Sequence, residues 1–200
     1  GDRVIVAAGP WTADLVPDLA DRALPSRQLV VDVETDAARQ AAWSRMPMVL
    51  DGVAAAGSGF YAVPPVAGLA IKTGDHSFSG TGHPDRERAV GEAESARILG
   101  LFGDGVRDGA AYRAREARTC FYTLAPEARF VVEARGAGLV LAGFSGHGFK
   151  FGPLVGLAVA RWLEGAVSTP ELAAWLGGRM PQPPAALDDE RRVTSPLGLR

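Results

Sequence analysis

A single cysteine, Cys120, stands among the 200 residues of this chain, which excludes an internal disulfide framework and a cysteine-cluster metal site. No run of about 18 apolar residues occurs, so the sequence offers no membrane-spanning helix. No positively charged leader is visible at its start. Neither sign of charge prevails: 21 Lys and Arg stand against 23 Asp and Glu, a formal net charge of −2. That balance gives no electrostatic reason to expect nucleic acid or an anionic membrane as partner. With nothing directing it elsewhere, the expectation is a cytoplasmic protein. Internal repeats are also absent. Apolar residues are not scarce: they make up 47% of the chain, enough for the core of one domain or two small ones.

The pattern along the chain has three zones and a tail. Val4-Ile5-Val6-Ala7-Ala8-Gly9 reads as a short buried strand, and Pro10-Trp11-Thr12 opens a helix over 12–19 with Asp14 in its first turn. A core strand that begins this abruptly, without an initiating methionine, is expected of the C-terminal part of a longer polypeptide. From Arg27 the chain reads as short strands punctuated by Gly, Pro and Asp, at 28–34, 48–51, 59–64 and 69–74, spaced like an antiparallel sheet. A helix over 85–102 follows. From Ala114 strands return, with one strong helix over 153–163, and residues 180–200 are Pro-rich and charged, as in a disordered tail. The expected organisation is an α/β domain (1–25 and 114–178) interrupted by an antiparallel-sheet domain (26–113), with a tail at 179–200. A cleft between two such domains is where ligand sites favour.

The most informative segment is Gly143-Phe144-Ser145-Gly146-His147-Gly148-Phe149-Lys150-Phe151. It joins the apolar strand 138–142 to the helix that Pro153 opens. A Gly-rich strand-to-helix turn lets the backbone approach a flat or anionic ligand and aims unpaired N–H groups at it. Lys150 adds a positive charge there. Three other residues draw notice. Lys72 lies between Ile71 and Thr73 on an otherwise apolar strand, where a lysine either snorkels from an edge or holds a cation near a ligand. Tyr61 lies on the preceding strand, and a satisfied buried hydroxyl would be its ordinary role. Cys120, among Phe121 and Tyr122, is ordinarily an inert core residue, unless a cation such as Arg118 or Lys150 favours its thiolate.

These residues resemble one family. Cys120-Phe121-Tyr122-Thr123, Glu127-Ala128-Arg129-Phe130-Val131-Val132 and the turn Gly143–Phe151 are similar to the C-terminal half of the sarcosine oxidase and N-methyltryptophan oxidase family. These are FAD-dependent amine oxidases of the D-amino-acid-oxidase-like superfamily. Val4 to Trp11, Pro25-Ser26-Arg27-Gln28, Tyr61 and Ile71-Lys72-Thr73-Gly74-Asp75-His76 match in the same order. The resemblance implies the C-terminal part of an FAD-binding, Rossmann-like domain interrupted by a substrate domain with a mostly antiparallel sheet. Position by position, it implies FAD carried as a thioether on Cys120 and a substrate carboxylate held by Lys150. It implies that Lys72 assists the reaction of reduced flavin with oxygen, and that Tyr61, His76 and Tyr122 line the substrate pocket. Ala8, Gly9 and Trp11 match a strand end packed on the cofactor, and Gly143, Phe144, Ser145, Gly146, His147, Gly148 and Phe149 match a turn against the flavin. No metal is implied.

Two departures matter. The family's dinucleotide fingerprint has no counterpart here, so by itself the chain is expected to bind FAD poorly and to need that segment. Asp75 stands where relatives carry an aromatic, which bears on pocket shape. The chemistry implied is oxidation of a secondary amine of an amino acid to an imine, with oxygen as acceptor and hydrogen peroxide as product. The alternatives are a flavin-dependent dehydrogenase or tRNA-modifying relative, and an inactive fragment that serves only as a subunit.

Overall fold

The computed structural model describes residues 2–52, 59–75 and 77–188. In chain order the elements are β1 (Val4–Val6), α1 (Thr12–Leu15), β2 (Leu24–Glu34), α2 (Ala37–Trp43), β3 (Val49–Asp51), β4 (Phe60–Val63), β5 (Ile71–Asp75) and α3 (Glu92–Gly105). Then follow β6 (Arg113–Leu124), β7 (Val131–Arg135), β8 (Gly138–Ala142), α4 (Gly148–Leu163), α5 (Thr169–Leu176) and α6 (Ala185–Asp188). They fall into two compact units: Gly1–Pro25 with Tyr122–Arg200, and the inserted Ser26–Phe121. The expected mixed α/β organisation with an antiparallel insertion is present. The return division falls at Tyr122 rather than at 114, because β6 is one unbroken strand that belongs to the insertion over most of its length.

In the inserted unit the sheet order is β3-β4-β5-β2-β6, with the β3–β4, β4–β5 and β5–β2 pairs antiparallel. Side chains alternate across such a sheet. Val31, Val33, Phe60, Ala62 and Ile71 therefore share one face, which packs on Trp43 of α2, on Ile98 and Phe102 of α3, and on Tyr112. Phe102 is fully buried and meets Phe60 and Tyr112 edge-on, with ring centroids 5.8 and 5.1 Å away. The Trp43 indole N–H donates to the Tyr112 hydroxyl at 3.0 Å, which satisfies both polar atoms inside the core.

Helix α3 starts at Glu92, later than the expected residue 85. Arg27 accounts for the delay: its guanidinium donates to the carbonyls of Glu87 and Ala89 at 2.9 and 2.6 Å, taking up acceptors that a longer helix would need. Glu94 then accepts the Gly91 N–H at 2.9 Å and caps the helix that does form.

In the other unit the sheet order is β1-β8-β7, with β1 parallel and β7 antiparallel to β8. Leu139 and Leu141 face α4 and α5 through Val155, Ala158, Val159, Trp162 and Leu172. Val140 and Ala142 face Leu19 and Ala23 on the opposite side. Four expectations are corrected here. Strand β1 is not a buried strand: Val4 is 62% exposed, since β1 pairs with β8 alone among the described residues. The helix expected over 12–19 ends at Leu15, because Pro17 lacks an N–H and disfavours the helical region at Val16, which lies at φ −136° and ψ 77°. Helix α4 begins at Gly148, so the glycine-rich turn runs into its first turn and Pro153 lies within the helix. The tail is ordered at least as far as α6, where Leu187 is buried against the α4–α5 core. No described helix is long and apolar enough to cross a membrane.

Candidate active site

The face of the inserted sheet opposite its core carries the polar residues. Tyr61 is the partner of Gly74 and Val63 that of Lys72 in the β4–β5 pair, while Asp32 of β2 stands directly across from Lys72. Residues directly opposite share a face, so Tyr61, Lys72 and Asp32 all turn away from the core. On β6, Arg118 belongs to the same face, with Cys120 two residues further on. Arg118 Nη1 donates to Asp32 Oδ2 at 2.5 Å. That hydrogen bond, more than the charges of Asp32, Glu116 and Tyr61 or the opposing effect of burial, holds the guanidinium pKa above its ordinary value. Asp32, Lys72 and Arg118 line a hollow of about 250 Å³ whose apolar walls include Val63, Pro64 and Leu69.

Gly74 permits this arrangement. A Cβ there would lie 2.7 Å from both the Tyr61 hydroxyl and the Leu29 carbonyl oxygen, so only glycine lets the tyrosine lie across β5. Cys120 is exposed, not the core residue that its aromatic neighbours imply. Asp75 follows the opposite alternation. Its buried carboxylate accepts from Arg97 at 2.8 Å and Ser77 at 2.5 Å, so it ties β5 to α3 and has no part in the Lys72 face. His76 lies outside the described residues.

The second group of candidates surrounds one end of the three-stranded sheet. Because β1 and β8 run parallel, in the register Val6 to Val140, their carboxyl ends emerge at the same edge. Ala8, Gly9 and Trp11 leave from β1, and the turn 143–147 leaves from β8. Carboxyl edges of parallel strands are where α/β sheets bind ligands. Gly143, Ser145 and Gly146 all have positive φ (66°, 49° and 79°), a conformation that costs least for glycine. Ser145 tolerates it because it is held on three sides. Its N–H donates to the Thr123 carbonyl at 2.8 Å, and its hydroxyl accepts from the Ala125 N–H at 3.1 Å and donates to the Gly143 carbonyl at 3.2 Å.

The Tyr122 ring lies against this turn, only 3.1 Å from where a Cβ on Gly146 would sit. Phe144 packs on Phe130 with ring centroids 4.6 Å apart, and His147 donates its N–H to the Phe144 carbonyl. Gly148, Phe149 and Lys150 then form the first turn of α4, where N–H groups have no partner within the helix. Phe149 is 100% exposed and Lys150 is exposed beside it.

Thus Tyr61, Lys72 and Cys120 share one face of one sheet, while Ala8, Gly9, Trp11, Tyr122, the turn 143–149 and Lys150 cluster at the carboxyl edge of the other. Sequence reasoning missed Asp32. A single acid within the apolar run 28–33 is the signal that could have found it. It also passed over a compositional signal: of the 21 basic residues in the chain, nineteen are arginine and the two lysines are Lys72 and Lys150. Neither lysine has a hydrogen-bond or ion-pair partner among the described residues.

The sequence matches the family model described as DAO, FAD dependent oxidoreductase, over residues 1–162. It is 29% identical to monomeric sarcosine oxidase of Bacillus sp. (strain NS-129) over 167 residues, which covers 80% of this chain and 43% of that protein. It is 27% identical to N-methyl-L-tryptophan oxidase of Salmonella dublin over 189 residues, 90% of this chain and 48% of the relative. The chain thus spans less than half the length of these curated relatives. Among solved structures, fructosyl peptide oxidase from E. terrenum has the same fold, with a TM-score of 0.69 at 21% identity over 88% of this chain and 44% of that one. The residues that carry the two lysines and the glycine-rich turn lie inside the matched span, and the chain belongs to the FAD-dependent oxidoreductase family.

Proposed function

We propose that this chain supplies the substrate-facing side of a flavin-dependent amine oxidase acting on secondary amines of amino acids. The observation that carries the reading is the pair of uncompensated lysines, Lys72 on the open sheet face and Lys150 in the first turn of α4. The names of the relatives support the substrate class: sarcosine, N-methyltryptophan and fructosyl peptides each present a nitrogen bearing two carbon substituents.

The residues present fit a flat, electron-rich cofactor. A turn with two positive-φ glycines brings backbone close to a planar ring, and the free N–H groups of the α4 first turn favour negative charge there. The exposed Cys120 thiol is chemically able to carry a thioether. FAD, when bound, supplies the two-electron redox chemistry. Lys150 binds and orients the substrate carboxylate as a point charge, strengthened by the positive helix end next to it. Tyr61 and Tyr122 supply aromatic walls with a hydroxyl at one end. Lys72 presents a fixed positive charge that stabilises the anion formed as oxygen accepts electrons, an interaction worth most where water is excluded.

Peroxide release from the intact protein with sarcosine, proline, N-methyltryptophan and a fructosyl amino acid tests the reading. Lys72→Met should slow the oxygen half-reaction at least tenfold and leave anaerobic bleaching of the flavin by substrate largely intact. Equal losses in the two half-reactions would remove Lys72 from that role, and no peroxide from any of the four amines would remove the oxidase reading.

A further inference from the structure

Lys72 and Asp32 are directly opposed cross-strand partners, the position in which a Lys–Asp pair ordinarily forms. They do not pair. The Asp32 carboxylate, 21% exposed, is taken by Arg118 from the next strand, and no carboxylate replaces it at Lys72 among the described residues. All three charged groups line the same hollow, so the choice of partner is made locally, with Arg118 on one side of Asp32 and Lys72 on the other. A planar guanidinium forms the stronger, more directional bond to a carboxylate than an ammonium does. Among the described residues, the other titratable groups that alternation places on this face are Glu34 of β2, Tyr61 of β4, and Glu116, Cys120 and Tyr122 of β6. None of them bonds to Lys72, and none stands directly across from it.

We propose that Arg118 is a positioning residue that keeps the Asp32 carboxylate off the Lys72 ammonium, leaving that cation available to whatever occupies the hollow. Without Arg118, Asp32 closes onto Lys72 and cancels its charge. That the free cation serves oxygen chemistry rests on the amine-oxidase reading above; the exchange of partners does not.

The test is titration of ¹³C-methylated lysine amines by NMR in the intact protein, with Lys72→Arg assigning the Lys72 resonance and Lys150 as internal control. Arg118→Gln should raise the midpoint of Lys72 by about one pH unit, the smaller end of what an adjacent opposite charge does, while Lys150 stays where it is. Arg118→Lys, which sets two ammonium groups in competition for Asp32, should raise Lys72 by less than Arg118→Gln does. Asp32→Asn combined with Arg118→Gln should abolish the rise. An unmoved Lys72 in Arg118→Gln, or a rise that persists in the double variant, overturns the proposal. Normal oxygen reactivity in Lys72→Met would instead overturn the oxidase role and leave the partner exchange standing.

Discussion

Glycine at 74 and serine at 145 each hold a candidate residue in place, by opposite means. Gly74 does so by having no side chain: a methyl group there would press on the Leu29 carbonyl, which is backbone and cannot swing aside. Gly74→Ala should cost about 1–3 kcal/mol in urea unfolding, the usual toll of overpacking, and should displace the Tyr61 ring. Ser145 works through its hydroxyl. Removing it leaves the Ala125 N–H without its acceptor, so Ser145→Ala should cost about 1–2 kcal/mol. The same variant should loosen amide-exchange protection in the turn that leads to Lys150. Unchanged stability in either variant would mean that the local contact is dispensable. The identities of both residues were legible in the sequence, but their reasons were not, because neither the close approach nor the hydroxyl's partners are near neighbours in the chain.

At the scale of an element, α3 shows how a distant side chain sets a helix boundary. Pattern alone starts the helix at 85, whereas Arg27, far away in sequence, claims the carbonyls of Glu87 and Ala89 and pairs with Glu94 at 2.6 Å. The Arg27 hydrogen bond first, and the Gly91 N–H second, hold the Glu94 carboxyl below the ordinary carboxylate range. A depressed folded-state pKa contributes stability that is fully present above the unfolded value and is lost as pH falls through the folded one. Glu94→Gln should therefore melt lower than the parent at neutral pH, with the gap closing once pH drops below about 4. A gap that stays constant down to acid pH would exclude the charged pair as its source. At α5 the boundary is local and readable: Ser168 and Glu171 cap each other's N–H groups, and Ser168→Ala should cost about 1 kcal/mol of thermal stability.

For the whole molecule, two units are built, one from the two ends of the chain and one from the segment inserted between them. The inserted unit closes around Phe102, which no solvent reaches and which touches the rings of Trp43, Phe60 and Tyr112. Phe102→Ala should destabilise that unit by about 3–5 kcal/mol, seen as an early loss of Trp43 fluorescence in a denaturant series. A single unshifted transition would contradict this packing. The division itself was partly readable. The change from α/β pattern to short punctuated strands near residue 26 lies where the chain enters the insertion. The return at 122 left no mark, because a strand that passes from one unit to the next keeps the same alternation throughout.

Local signals in the sequence, namely glycine spacing, period-two alternation and the family's ordered motifs, were sufficient to name the fold class and the family. Each of these depends on residues close together in the chain. Tertiary structure alone decided that Asp32 belongs to Arg118 rather than to Lys72, that Asp75 serves α3, and that Cys120 is exposed. Those outcomes turn on which side of a strand faces which neighbour, a choice made only when strands distant in sequence come into register.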